Sequence, residues 1–196
     1  MQLGAHVSSS GGIHTAIDRI EEMGGESVQV FTQSPRTWRP TNHDPANFER
    51  FKERRAEAGI GGVACHALYL INLASPDDEL YAKSVAALQN TVDVGCAIEA
   101  DAVVFHVGSH LGSGFESALE RVVPALAAAL ERCSETTWLC MENCAGTGGT
   151  IGRSLEERFG VRDPHELLGL VHLHDARAVL ALFARHRREA GVPRAD

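Results

Sequence analysis

The chain has 196 residues, 44% of them hydrophobic, and a formal net charge of −8. That is enough apolar sequence for one sizeable core, with no run long enough to span a bilayer and no basic leader before an apolar stretch, so neither a membrane protein nor a secreted one is expected. The negative balance argues mildly against a phosphate-bearing partner, since counterion release onto Lys and Arg drives such binding; divalent ions held by carboxylates would reverse the local sign.

The predicted elements alternate strand with helix. Gln2 to Val7 is a short apolar strand, followed by Gly11 to Met23 with Ile13, Ala16, Ile17 and Ile20 at helical spacing. Ser27 to Thr32 forms a second strand. Asp44 then opens a helix with Pro45 at its first position and Phe48 and Phe51 on one face. The third strand runs from Gly62 to His66. In Ser75-Pro76-Asp77-Asp78-Glu79, Ser75 reads as an N-cap, followed by a tolerated proline, three acids in the first turn and apolar spacing through Cys96. Ala100 to Val107 is the fourth strand, Phe115 to Arg132 the fourth helix, and Thr137 to Glu142 the fifth strand. Strands alternating with helices of this length imply βαβ units and a parallel sheet.

Three of these strands end on a metal-capable side chain: Val63-Ala64-Cys65-His66, Val103-Val104-Phe105-His106 and Trp138-Leu139-Cys140-Met141-Glu142. A single histidine after an apolar strand is usually a satisfied core residue. Two histidines and a glutamate at the same strand position point to a ring of ligands. In a parallel barrel the active site lies at the C-terminal ends of the strands, where His6, His66, His106 and Glu142 fall. The five cysteines, Cys65, Cys96, Cys133, Cys140 and Cys144, are odd in number and lack a Cys-x-x-Cys pair. They read as reduced, inert thiols of a cytoplasmic protein, not as a disulfide framework or a zinc-thiolate site. Arginine outnumbers lysine sixteen to two, which reflects base composition before chemistry.

Five βα units of roughly 30 residues match the repeat of an eight-fold barrel, which typically needs about 250 residues. The expected fold class is therefore α/β, an incomplete TIM barrel. An open doubly wound sheet would also use alternating units, but the Gly-rich phosphate loop expected after its first strand is missing.

The segments Gly4-Ala5-His6-Val7-Ser8, Phe31-Thr32-Gln33-Ser34-Pro35-Arg36-Thr37-Trp38-Arg39, His66-Ala67-Leu68-Tyr69-Leu70-Ile71-Asn72-Leu73, Phe105-His106-Val107-Gly108-Ser109-His110 and Glu142-Asn143-Cys144-Ala145-Gly146 resemble consecutive motifs of endonuclease IV. That family comprises zinc-dependent apurinic/apyrimidinic endonucleases on a TIM barrel of the xylose isomerase-like type. The resemblance implies that His66 and His106 hold one zinc and that Glu142, the catalytic candidate, bridges it to a second, a donor set suited to Zn²⁺. It also implies that Arg36, Tyr69 and Leu70 enter the DNA at the lesion, where a guanidinium plane and an apolar wedge replace lost stacking. His6 and His110 fall near the site without an assigned role.

Departures from the family pattern concentrate after Glu156. Val107 stands where the family usually has proline, which should alter loop stiffness without removing a ligand. Residues 157 to 196 hold seven Arg, no Lys and six acids, giving +1 against −9 for residues 1 to 156. The expected division is therefore a partial barrel over 1–156 and a divergent tail over 157–196, either foreign sequence or the far side of an internal deletion. The second option rests on Val171-His172-Leu173-His174-Asp175, which resembles the family's seventh-strand motif with His174 replacing Asn and makes His172 a candidate ligand of the second zinc. Other ligands of a three-zinc cluster are missing, so about one zinc is expected.

By this resemblance the chain is a C-terminally incomplete, zinc-dependent endonuclease. It would hydrolyse the phosphodiester 5′ to abasic sites in duplex DNA during base excision repair, as a cytoplasmic monomer. Activity at least ~100-fold below that of a complete barrel is expected, the scale of losing a strong electrostatic group. A non-catalytic remnant that binds zinc or DNA weakly, and a sugar isomerase or epimerase on the same barrel, are the alternatives. The second has no use for the Arg36-Thr37-Trp38-Arg39 loop or for Tyr69-Leu70 beside a ligand histidine.

Overall fold

The computed structural model describes residues 2–144 and 148–152. All five expected strands form: β1 (Gly4–His6), β2 (Ser27–Phe31), β3 (Gly62–His66), β4 (Ala102–Phe105) and β5 (Trp138–Met141). They make one wholly parallel sheet in the order β1-β2-β3-β4-β5. Helices α1 (Thr15–Glu22), α2 (Pro45–Ala58), α3 (Asp78–Ala97) and α4 (Phe115–Leu130) connect successive strands. Each strand's next neighbour in sequence is also its next neighbour in space, so the sheet winds in one direction. A doubly wound sheet would reverse its order at a switch point; this one is a segment of a barrel wall.

The two faces of the sheet follow from side-chain alternation. Val63, Cys65, Val103 and Phe105 point outward to the helices and are at most 1% exposed. Gly95 on α3 lies so close to Val103 and Cys65 that a side chain there would strike Val103. The opposite row, in register across the sheet, runs His6 and Gln29, then Ala64, Ala102 and Trp138. His66, His106 and Glu142 continue that inward row.

Local chemistry sets the element ends. Helix α1 begins four residues later than the spacing predicts, because Gly11 and Gly12 adopt φ of +91° and +119°, outside the right-handed helical region. Asp44 caps α2 by accepting from Ala46 N at 3.0 Å, and Gly59 ends it at φ +66°. The cap of α3 is Asp77, not Ser75: Asp77 accepts from Leu80 N at 2.7 Å, while Ser75 Oγ accepts from Asp77 N one turn earlier. Strand β4 is shorter than Ala100 to Val107 because Ala100 N is spent closing α3 on Gly95 O, after Glu99 at φ +54°.

A polar clasp fixes the N-terminal ends of the strands. Arg55 donates to the carbonyls of Ile60, Gly61 and Glu99 and pairs with Asp101 at 2.8 Å. Asp101 also accepts from Val63 N at 2.7 Å, so one arginine holds β3 and β4 in step.

Candidate metal centre

His66, His106 and Glu142 meet at the C-terminal end of the sheet, as their shared strand position predicts. Each follows the last outward apolar residue of its strand (Cys65, Phe105, Met141), so all three turn inward together. Their ligand atoms lie within 4.8 Å of one another. Glu142 Oε2 is 2.8 Å from His66 Nε2 and 3.6 Å from His106 Nε2, and the imidazole centroids are 5.4 Å apart. The carboxylate is positioned from the backbone, since Glu142 N donates to Phe105 O at 2.9 Å.

The donor set passes a chemical test for a cation. His66 Nδ1 lies 2.6 Å from Ala67 O, and a carbonyl can only accept, so Nδ1 carries the hydrogen. A neutral His66 therefore turns its Nε2 lone pair toward the carboxylate, acceptor against acceptor. A proton or a metal ion between the two atoms relieves that contact, and His106 supplies a third donor for the metal. An imidazole oriented by a backbone carbonyl is the usual support of a ligand histidine. The three side chains grade from 7% exposed at His66 to 36% at His106 and 44% at Glu142, so the site opens toward solvent from a rooted inner ligand.

Phe31 is the residue that sequence reasoning passed over. Its ring stands edge-on to His66 at 5.5 Å and to Tyr69 at 5.2 Å, and lies 4.4 Å from His6. It is the inward residue ending β2, the position that supplies ligands on β3 and β4, which was the available signal. His6 accepts a hydrogen bond at Nδ1 from the Gln29 amide at 2.9 Å. Burial, then proximity to His66, holds its pKa below the usual imidazole range. His110 also has an assigned state, because Nδ1 accepts from Gly112 N and Gly114 N at 3.1 and 3.3 Å and pins the loop after β4.

A second overlooked pair joins the loops. Asn72 Oδ1 accepts from Ala74 N and from Ser109 N at 2.9 Å, tying the loop after β3 to the loop after β4. Gly108, at φ +102°, passes so close that a β-carbon there would lie 2.2 Å from Asn72 Oδ1. Both residues belong to the motifs quoted above; neither spacing nor residue type announces the contact.

Tyr69 and Leu70 stand at the rim of this centre. They are 58% and 37% exposed, with the Tyr69 ring 5.8 Å from His66. Tyr69 N donates to Pro35 O at 3.2 Å, which brings the loop carrying Arg36 beside them; Arg36 itself is exposed. His172 lies outside the described residues. No helix among them is long and apolar enough to cross a membrane.

Comparison with known proteins agrees with this geometry. Residues 17–172 match the model of the xylose isomerase-like TIM barrel family. A protein named "Probable endonuclease 4" from Nitratidesulfovibrio vulgaris is 39% identical over 189 residues, covering 95% of this chain and 67% of the relative. Another of the same name from Halorhodospira halophila is 34% identical, covering 98% of this chain and 70% of the relative. The crystal structure of endonuclease IV from Thermus thermophilus superimposes with a TM-score of 0.73 at 32% identity, over 82% of this chain. This chain spans 58% of that structure. A D-psicose 3-epimerase shares the fold at a TM-score of 0.63 but only 13% identity. With a singly wound parallel sheet, a His-His-Glu cluster at its C-terminal end and relatives of this identity and coverage, the chain belongs to the endonuclease IV family of xylose isomerase-like TIM barrels.

Proposed function

We propose that this chain is a zinc-dependent endonuclease that cleaves duplex DNA at abasic sites. The observation that carries the reading is the convergence of His66, His106 and Glu142 directly beside the exposed Tyr69 and Leu70. The family of the chain and the names of its relatives support the same chemistry.

His66, His106 and Glu142 hold the metal, with His66 held in its tautomer by Ala67 and the carboxylate fixed through Glu142 N. Zinc held there would supply Lewis-acid chemistry, polarising a phosphate and acidifying a bound water. The remaining work belongs to the rim. Tyr69 and Leu70 fill the gap left by a missing base, and Arg36 lies against the distorted strand. Leu111 adds an exposed apolar side chain in the loop after β4, 63% exposed and held at φ +49°. A leucine kept in the left-handed region is strain of the kind that collects at functional loops.

The net charge of −8 leaves the DNA contact dependent on local features, these loops and the bound cation, not on a basic surface. The reading treats residues 1–156 as the barrel portion and 157–196 as a divergent segment. Cleavage of a duplex containing one abasic site, with zinc and then with chelator, is the direct test. Incision confined to the lesion, lost on chelation and lost in Glu142→Gln, is the expected result; no incision at any zinc concentration, or equal cutting of intact duplex, defeats the reading.

A further inference from the structure

Between β4 and α4 the chain turns through residues 108–114, and four of these have positive φ: Gly108 at +102°, Leu111 at +49°, Gly112 at +94° and Gly114 at +95°. Three are glycines, which reach that region freely; the fourth is a leucine, whose β-carbon crowds the following carbonyl there. Among the described residues only Glu99 is another non-glycine at positive φ, and its turn closes α3, with Ala100 N returning to Gly95 O. Leu111 closes no helix. A glycine or an asparagine would hold the same turn with less strain, so the turn does not account for the leucine.

Packing does not account for it either. Leu111 is 63% exposed. The other large apolar side chains exposed among the described residues fall into two groups: Leu3 and Met23 precede β1 and β2 at the strand starts, and Tyr69 and Leu70 follow β3 at the strand ends, beside the metal ligands. Leu111 belongs with the second group. Its loop is tied to theirs, since Ser109 N donates to Asn72 Oδ1 at 2.9 Å and Leu73 N donates to Val107 O at 2.8 Å. Leu70 stands two residues before Asn72 in one loop, and Leu111 two residues after Ser109 in the other.

His110 holds the turn from three sides. Its N donates to Gly149 O at 2.8 Å, and its carbonyl accepts from Ser113 N at 2.9 Å and from Ser113 Oγ at 2.8 Å. Its Nδ1 accepts from Gly112 N and Gly114 N at 3.1 and 3.3 Å. Leu111 N is itself held by Ser109 Oγ at 3.3 Å. An exposed apolar side chain fixed by this many bonds in an unfavourable backbone conformation is preorganised for a contact that the free chain lacks.

We propose that Leu111 is a further apolar contact with the duplex, packing beside the lesion where Tyr69 and Leu70 enter, and that His110 is the positioning residue that holds it there. The inference rests on the abasic-site reading above and adds the loop after β4 to the surface that separates damaged from intact DNA.

The test measures affinity of the full, zinc-loaded chain for two duplexes of one sequence. One is intact; the other has a single abasic site whose 5′ phosphodiester is replaced by a non-cleavable linkage. Leu111→Asn keeps the left-handed turn and removes the apolar group. Its affinity for the abasic duplex should fall at least ~10-fold, the scale of leaving one leucine side chain unburied, while affinity for the intact duplex holds and the melting temperature is unchanged or higher. His110→Ala should also lose lesion affinity, and His110→Asn should recover most of it, because its Oδ1 accepts in place of Nδ1. Undiminished lesion preference in Leu111→Asn overturns the contact, and a lower melting temperature in that variant makes Leu111 a packing residue. Equal losses in the two His110 variants overturn the positioning role. Tyr69→Ala separates this inference from the reading beneath it: lesion preference that falls in Tyr69→Ala but not in Leu111→Asn removes Leu111 alone, whereas a wild type that binds both duplexes equally defeats the abasic-site reading and the contact together.

Discussion

His66 and His106 are not equivalent. His66 is rooted by Ala67 and by the Phe31 edge, whereas His106 meets the carboxylate from a more exposed position. Removing either leaves two donors, too few for tight zinc binding. His106→Ala should therefore abolish most zinc binding while leaving the melting temperature of the metal-free protein nearly unchanged, as read by metal analysis and calorimetry. A large fall in metal-free stability would show that His106 is a packing residue. Gly108→Ala should behave in the opposite way. With φ at +102° and a β-carbon 2.2 Å from Asn72 Oδ1, it should cost more than ~1 kcal/mol in denaturant unfolding. The ligand triad was legible in the sequence because strand alternation converts a repeated position into a shared direction. Asn72 and Gly108 were not, since their contact joins loops whose approach depends on the register between strands, and Phe31 was passed over because an aromatic at the ligand position is not itself a ligand.

At the scale of elements, the sequence carried all five strands and all four helices of the described residues because apolar periodicity survives burial on one face. It carried their ends less well. Two glycines at positive φ delayed α1, and the cap of α3 fell on Asp77 because Ser75 spends its hydroxyl on the turn before the helix. The distinction has a measurable consequence: Asp77→Ala should destabilise the protein by ~1 kcal/mol, the usual worth of an N-cap. Ser75→Ala, which removes only the turn, should cost less. Equal losses would return the cap to Ser75. The parallel order of the sheet was expected from the βα alternation, and its single direction of winding from the barrel repeat and the family resemblance, since alternation alone permits both windings. The missing Gly-rich loop pointed the right way without proving the topology.

At the scale of the molecule, the two ends of the sheet divide stability from chemistry. The Arg55 clasp joins the strand starts, and the His-His-Glu ring occupies the strand ends. The buried thiols add a pH-dependent contribution to stability. Burial, with Cys96 nearby, pushes the Cys65 thiol up to about 12. Burial, with Cys96 and Cys140 nearby, pushes Cys133 up to about 11. Both are raised above the ordinary value of 9.0, so as pH climbs past that value the unfolded chain releases protons that the folded chain retains. The unfolded state then binds fewer protons, and stability must fall with rising pH above about 9. Calorimetry between pH ~8 and ~11 should record that decline, shallower in Cys133→Ala; a flat profile would show that the thiols are not held protonated. One further consequence follows from where the indoles lie. The chain has two tryptophans: Trp38, packed against the core in the loop with Arg36, and Trp138, lining an apolar hollow between α4 and β5. Each surface that matters thus carries its own fluorophore. Replacing one at a time with phenylalanine turns intrinsic emission into separate optical readouts, Trp38 for nucleic-acid contact and Trp138 for the packing of that hollow.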